Sequence, residues 1–280
     1  SDGTTKITEF WDQNREVVPL KKISKYMQQA VVAREDRRFF THGGVDVQGV
    51  FRAFVQTYMK GDHQGGSSLT QQYVKNVLIL QAKQDDDPIA QYHASEDTIA
   101  RKMREMLISV QMEKQYSKPE ILQGYLNIAQ FGGNSLYGVQ AAAKRYFNTT
   151  ADQLNIVQSA TIAAITKNPN AYDPSVESNQ PESEKQRNIV LQLMNEQGYI
   201  SDAEYQEAVN TPLADTLDVQ PISTGCMAAD YDAGYFCDYV VHKILNSKEF
   251  GKTSEDRERL LKEGGLKIVT TLDIDANTLL

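Results

Sequence analysis

The stretch AVVAREDRRFFTHGG, residues 30–44, decides how the first part of this 280-residue chain folds. Met27, Val31, Val32 and Phe39 recur at helical spacing and form one apolar stripe, so a helix is expected over residues 24–40, ending at the Thr41-His42-Gly43-Gly44 turn. At 100° per residue Glu35 falls inside that stripe, while Arg34, Asp36 and Arg38 point elsewhere. A carboxylate among apolar neighbours loses hydration, and lost hydration makes carboxylates better proton acceptors. The plainer reading of Glu35 is a surface ion pair with Arg38 one turn on. Company from other residues has to decide between them.

Working outward, VDVQGVFRAFVQTYMKG (45–61) reads as a second amphipathic helix, with Val47, Val50, Phe51, Phe54, Val55 and Tyr58 on one side and Gln48, Arg52, Gln56 and Lys60 opposite. It suits either a core-facing surface helix or one lying in a lipid interface. SSLTQQYVKNVLIL follows as a helix with a Ser N-cap, and QAKQDDDPIAQYHASED as a polar, Pro-interrupted surface insertion. A long helix is expected from Glu96 to Tyr116, then helices in KPEILQGYLNIAQ and VQAAAKRYF and over 151–167, 183–198 and 202–209. Only LKIVTTLDI, near the end, alternates like a strand.

Composition agrees with a globular protein: 40% hydrophobic and 24% charged residues. The net charge is −8, unevenly spread: residues 1–130 carry 17 Lys/Arg against 16 Asp/Glu, residues 131–280 carry 12 against 21. That balance excludes nucleic-acid binding by electrostatics and leaves the first half able to face an anionic ligand or a membrane surface. No apolar run is long enough to span a bilayer, and SDGTTKITEF is no signal peptide; the start reads as a cut, with an anchor upstream. Cys226 and Cys237 are close enough for a small disulfide loop, although two free buried thiols also fit.

Two more features bear on chemistry. In the long helix Ile99, Met103, Met106, Leu107 and Val110 form one apolar face, and Arg101, Glu105, Ile108 and Met112 form a second stripe. Such a helix is expected to be buried between layers, with Arg101 and Glu105 paired at a partly buried edge. In the helix after GDHQGG, Gly65 and Gly66 permit close backbone approach, the helix start offers N–H groups to a phosphate, and Ser68, Gln71 and Lys75 share a face. A well-capped helix with a solvated side fits these residues equally. Two carboxylates in unlike surroundings beside an anion site suggest sugar-bond chemistry on a phosphorylated ligand.

Taken together these residues resemble glycosyltransferase family 51, the peptidoglycan polymerase module of class A penicillin-binding proteins. AREDRRFFTHGGVD is similar to the family's E-D-x-x-F-x-x-H-x-G through Glu35, Asp36, Phe39, His42 and Gly44. GGSSLTQQYVKN resembles G-G-S-T-I-T-Q-Q through Gly66, Ser67, Thr70, Gln71 and Gln72, with Lys75 beyond. RKMRE matches R-K-x-x-E at Arg101, Lys102 and Glu105, and KPEILQGYLN resembles K-x-E-I-L-E-x-Y-L-N at Lys118, Glu120, Tyr125 and Asn127. Four motifs in order are a strong signal. Gln123 replaces the usual Glu, Ser68 the usual Thr, the 81–97 insertion is long, and Glu96-Asp97-Thr98 stands where a basic residue is common.

The resemblance implies a mainly α, lysozyme-like domain over 16–210, with a large head lobe and a small membrane-associated jaw lobe. Residues 1–15 would be a linker remnant, and 211–280 a linker with the truncated α/β start of a transpeptidase domain. No S-x-x-K occurs, so these residues should not acylate penicillin. The implied activity is polymerisation of lipid II into glycan strands, with release of undecaprenyl pyrophosphate, at the extracytoplasmic face of the bacterial cell membrane. Glu35 would be the general base and Glu105 the second catalytic carboxylate. Asp36, Phe39, His42, Gly66, Ser67, Thr70, Gln71, Gln72, Lys75, Arg101, Lys102 and Asn127 would bind substrate, with Mg or Mn a possible companion of the diphosphate. Lipid II, the nascent strand and the membrane surface would be partners, an N-terminal transmembrane helix the anchor, and nucleic acid none. The cysteine segment is similar to that of actinobacterial members, which favours a Cys226–Cys237 disulfide. A lysozyme-like hydrolase and a non-catalytic glycan- or lipid-binding module are the alternatives; the phosphate cradle argues against the first and the intact carboxylates against the second.

Overall fold

The computed structural model describes residues 3–43, 67–133 and 136–278. The second helix expected over 45–61, together with Gly44, Gly65 and Gly66, lies outside the described residues. The chain divides into two compact units, Arg15–Gln220 and a smaller one made of Ser1–Asn14 with Pro221–Leu280. The first fourteen residues group with the C-terminal segment, and the larger unit ends at Gln220.

The larger unit is helical throughout. Its described helices are α1 (Lys25–Glu35), α2 (Leu69–Gln84), α3 (Pro88–Ser95), α4 (Ile99–Gln115), α5 (Lys118–Ile128), α6 (Val139–Phe147), α7 (Ile156–Ile165), α8 (Gln180–Glu196) and α9 (Asp202–Asn210). At the centre is α7, whose residues Ser159–Ile165 are all buried, as expected of a helix apolar on every side. It packs on α1 and α8. From α1 it meets Met27, Ala30, Val31, Val32 and Ala33, all buried. Ser24 opens α1 by accepting from the Tyr26 N–H, and its hydroxyl donates to Leu154 O at 2.6 Å, tying that start to the loop before α7.

Helix α1 ends at Glu35, five residues before the expected end. Asp36 adopts φ −158°, and the chain turns through residues 37–41. The reason lies in Asp36, whose carboxylate is used outside the helix, as described below. The 81–97 insertion is at the surface but helical at both ends: α2 continues to Gln84, and Asp87 caps α3, which begins on Pro88.

Asn127 in α5 and Gln123 one turn earlier hold residues 18–20. Asn127 Nδ2 donates to Val18 O and its Oδ1 accepts from Val18 N, both at 2.9 Å, while Gln123 Oε1 accepts from Leu20 N at 2.7 Å. The bond needs only an oxygen acceptor, so the Gln for Glu exchange preserves it. Gly138, ahead of α6, sits at φ +81°, and a Cβ there would lie 2.8 Å from the Asn127 backbone oxygen. Gly138→Ala therefore combines strain with a backbone clash and should destabilise the unit by about 1–3 kcal/mol, read from denaturant melts.

In the smaller unit Cys226 and Cys237 are disulfide-bonded, joining a short 3-10 turn to α10 (Gly234–Asn246). Two further helices follow, α11 (Ser254–Glu263) and α12 (Ile274–Thr278). The expected strand LKIVTTLDI does not form: residues 265–273 carry no regular structure. Strands need a partner for their N–H and C=O groups, and β pairing among the described residues is confined to isolated bridges such as Gln130–Tyr137.

Candidate active site

Glu35 occupies the last position of α1 and is half-buried. Met27, Val31, Val32 and Phe39 surround its position in the stripe and are buried, as their spacing predicts. The carboxylate, however, is not bare. Gln72 Nε2, from the first turn of α2, donates to Oε2 at 2.7 Å, and Thr166 Oγ, just past α7, donates to Oε1 at 2.6 Å. The Gln72 amide is itself oriented: Tyr125 in α5 donates its hydroxyl to Gln72 Oε1 at 3.3 Å, which turns the NH2 group toward Glu35. Burial, and secondarily the Glu35 charge, raise the Tyr125 pKa well above its usual value, so its hydroxyl keeps its proton. Helices α1, α2, α5 and α7 thus converge on one carboxylate through neutral donors.

Asp36 and His42 lie in the interior, where they brace. Asp36 Oδ2 accepts from the Leu69 N–H at 2.9 Å and from His42 Nε2 at 2.7 Å. A residue leaving α1 thereby ties off the start of α2. Phe39 is fully buried, with the Lys118 ammonium 4.5 Å above its ring. These three expected substrate contacts, and Asn127 with them, are placed where they hold helices together.

The start of α2 differs from the expected anion site in the same way. Ser68, not Ser67, is the N-cap, in a capping box with Gln71. Two of its leading N–H groups are taken: Leu69 by Asp36, Gln71 by the Ser68 hydroxyl at 3.2 Å. Thr70 is fully buried and donates to Glu113. Lys75 stands one turn beyond Gln72 on α2 and is half-buried.

Helix α4 packs on α2 and carries the remaining charges. Arg101 and Glu105 form an ion pair, 7% and 4% exposed. The acidic segment that replaces a basic residue serves this arginine: Glu96 offers its carbonyl, Asp97 Oδ1 lies 3.8 Å away, and Thr98 caps the helix by accepting from the Arg101 N–H. Lys102 is exposed. The apolar face is not sandwiched between layers. Ile99 is 79%, Met103 56% and Leu107 69% exposed, while Arg101, Glu105 and Ser109 point inward. The helix buries the side on which Arg101 and Glu105 pair with each other, and leaves Ile99, Met103 and Leu107 exposed.

Two residues at the site escaped the sequence reading. Glu113 in α4 is half-buried and bridges α2 and α5, pairing with Lys118 Nζ at 2.7 Å and accepting from Thr70. Its signal was the nearby Lys118. Thr166 had none, because 131 positions separate it from Glu35. No group of three or more His, Cys, Asp or Glu stands together among the described residues, and Glu105 is committed to Arg101. The described residues do not make a protein cage for a divalent ion.

The transglycosylase family model matches residues 3–195. The chain belongs to the transglycosylase family. It is 34% identical over 278 residues to penicillin-binding protein 1A/1B of Bacillus subtilis, covering 97% of this chain and 27% of that protein. Penicillin-binding protein 1A of Aquifex aeolicus is 34% identical, with 94% and 32% covered, and that of Streptococcus pneumoniae 32% identical, with 96% and 34% covered. The chain thus spans about a quarter to a third of the length of these relatives. A crystal structure of penicillin-binding protein 1A from Haemophilus influenzae superposes with a TM-score of 0.44 at 20% identity, over 86% of this chain and 23% of that one. Family membership fits the mainly helical larger unit and the ordered motifs.

Proposed function

We propose that the chain is a peptidoglycan glycosyltransferase that polymerises lipid II for cell-wall synthesis. Glu35 carries the reading: a half-buried carboxylate whose two hydrogen-bond donors, Gln72 and Thr166, are both neutral. Neutral donors orient a carboxylate without placing a cation in competition with the proton it is to accept. In the proposed step Glu35 takes the proton of the acceptor sugar's 4-hydroxyl as that oxygen bonds to C1 of the donor. The C1–O bond to the diphosphate breaks, and undecaprenyl pyrophosphate leaves with the electron pair. Lys75, Arg101 and Lys102 are the basic groups proposed to meet the charge that develops on it. Glu105 keeps Arg101 aligned, and a Mg or Mn ion would act there only in company with the diphosphate.

The hydrolytic alternative asks for a second carboxylate acting on the sugar. Glu105, the candidate, is buried against Arg101. The outward apolar face of α4, with exposed Lys102 and Arg104, suits an anionic lipid surface, as a lipid-linked substrate requires. No helix among the described residues is long and apolar enough to cross a membrane. We place the activity at the outer face of the cell membrane, where lipid II would be met. Incubation with lipid II, followed by gel separation of products, should give a ladder of glycan strands and stoichiometric undecaprenyl pyrophosphate. Released disaccharide would support a hydrolase, and unchanged lipid II a binding module.

A further inference from the structure

Thr166 has more acceptors than protons. Its Oγ lies 2.6 Å from Glu35 Oε1 and 2.8 Å from the carbonyl oxygen of Ala163, in the last turn of α7. A hydroxyl carries one proton and two lone pairs, so it donates to one of these oxygens at a time. While Glu35 is ionised the charged oxygen is the stronger acceptor and takes the proton. Once Glu35 is protonated, the same hydroxyl can turn its proton to Ala163 and accept from the new O–H on Oε1.

We propose that Thr166 is a positioning residue for the reaction, a hydroxyl rotor that keeps Glu35 hydrogen-bonded before and after it takes up the acceptor's proton. The inference rests on Glu35 being the proton acceptor proposed above. Gln72 cannot play this part. Its amide is fixed by Tyr125 with the NH2 toward Oε2, and an NH2 group donates but does not accept. Among the described residues, Thr166 is therefore the partner at this carboxylate able to reverse its role. The step balances: one O–H bond breaks on the sugar, one forms on Glu35, and the Thr166 proton only rotates between two oxygens. The methyl of a threonine serves none of this, so serine should substitute and valine should not.

Initial rates of lipid II polymerisation by this chain, with Thr166→Val, Thr166→Ser and Glu35→Gln side by side, test the inference. Thr166→Val is expected to lower kcat about tenfold to hundredfold, the usual range for a lost hydrogen bond to a charged group, with KM within twofold. Thr166→Ser is expected to stay within threefold of the parent in both. Should the valine variant fail to fold by circular dichroism, Thr166→Ala lacks the hydroxyl with no added methyl beside the carboxylate and should show the same fall in kcat. Full kcat in a hydroxyl-free variant, with Glu35→Gln inactive, would overturn the rotor and leave the base standing. So would a serine variant as slow as the valine one. Activity in Glu35→Gln would remove the base and the rotor together.

Discussion

Glu35→Gln is expected to reduce lipid II polymerisation by about 10²–10⁴-fold, the range typical for loss of a general base, with circular dichroism and melting close to the parent's. The surroundings explain why fold and activity should separate. An amide has nearly the shape of a carboxylate, and each neighbour can satisfy it. The Gln72 NH2 donates to the new amide oxygen, and the new NH2 donates to Thr166 Oγ, whose own proton turns to Ala163 O. Every hydrogen bond is kept, and only the capacity to take a proton is lost. A variant within threefold of the parent rate would show that the proton goes elsewhere.

Arg101→Met should destabilise the larger unit by about 3–5 kcal/mol in denaturant unfolding, because it strands the Glu105 carboxylate in the interior. Glu105 is 4% exposed and ion-paired with this guanidinium. The double variant Arg101→Met with Glu105→Leu removes both charges and should recover most of that loss, since apolar groups of similar volume replace a buried pair at little cost. Polymerisation should recover in neither, because the positive charge proposed to face the diphosphate is gone in both. A single variant less than 1 kcal/mol below the parent would mean that the pair is hydrated, and an active double variant would assign the leaving-group charge to Lys75 and Lys102 alone.

The parts of the fold written in local spacing were legible. The 3.6-residue recurrence of Met27, Val31 and Val32 located α1 and its buried face, and Glu35 stood out because it interrupted that recurrence. The outward face of α4 was not legible. Periodicity shows that Ile99, Met103 and Leu107 share a side and that Arg101 and Glu105 share another. It does not say which side turns inward, and the usual assumption fails where an arginine and a glutamate neutralise each other one turn apart and are buried as a pair. Asp36 was expected at the substrate through its place in the first family motif, and the structure adds a bracing role. Its capping of Leu69, 33 positions away, is a tertiary bond that no local pattern encodes. LKIVTTLDI has strand propensity yet forms no strand, since propensity supplies no partner for the ladder.

A crystal structure of this chain with a lipid II analogue in the donor position and a disaccharide acceptor would test the placement of Glu35 most directly. The acceptor 4-hydroxyl should lie about 2.6–3.2 Å from a Glu35 carboxylate oxygen, with the diphosphate against Lys75 and the Arg101 end of α4. An acceptor hydroxyl bound beyond one water's reach of Glu35, or a diphosphate held on a different face of the unit, would contradict it.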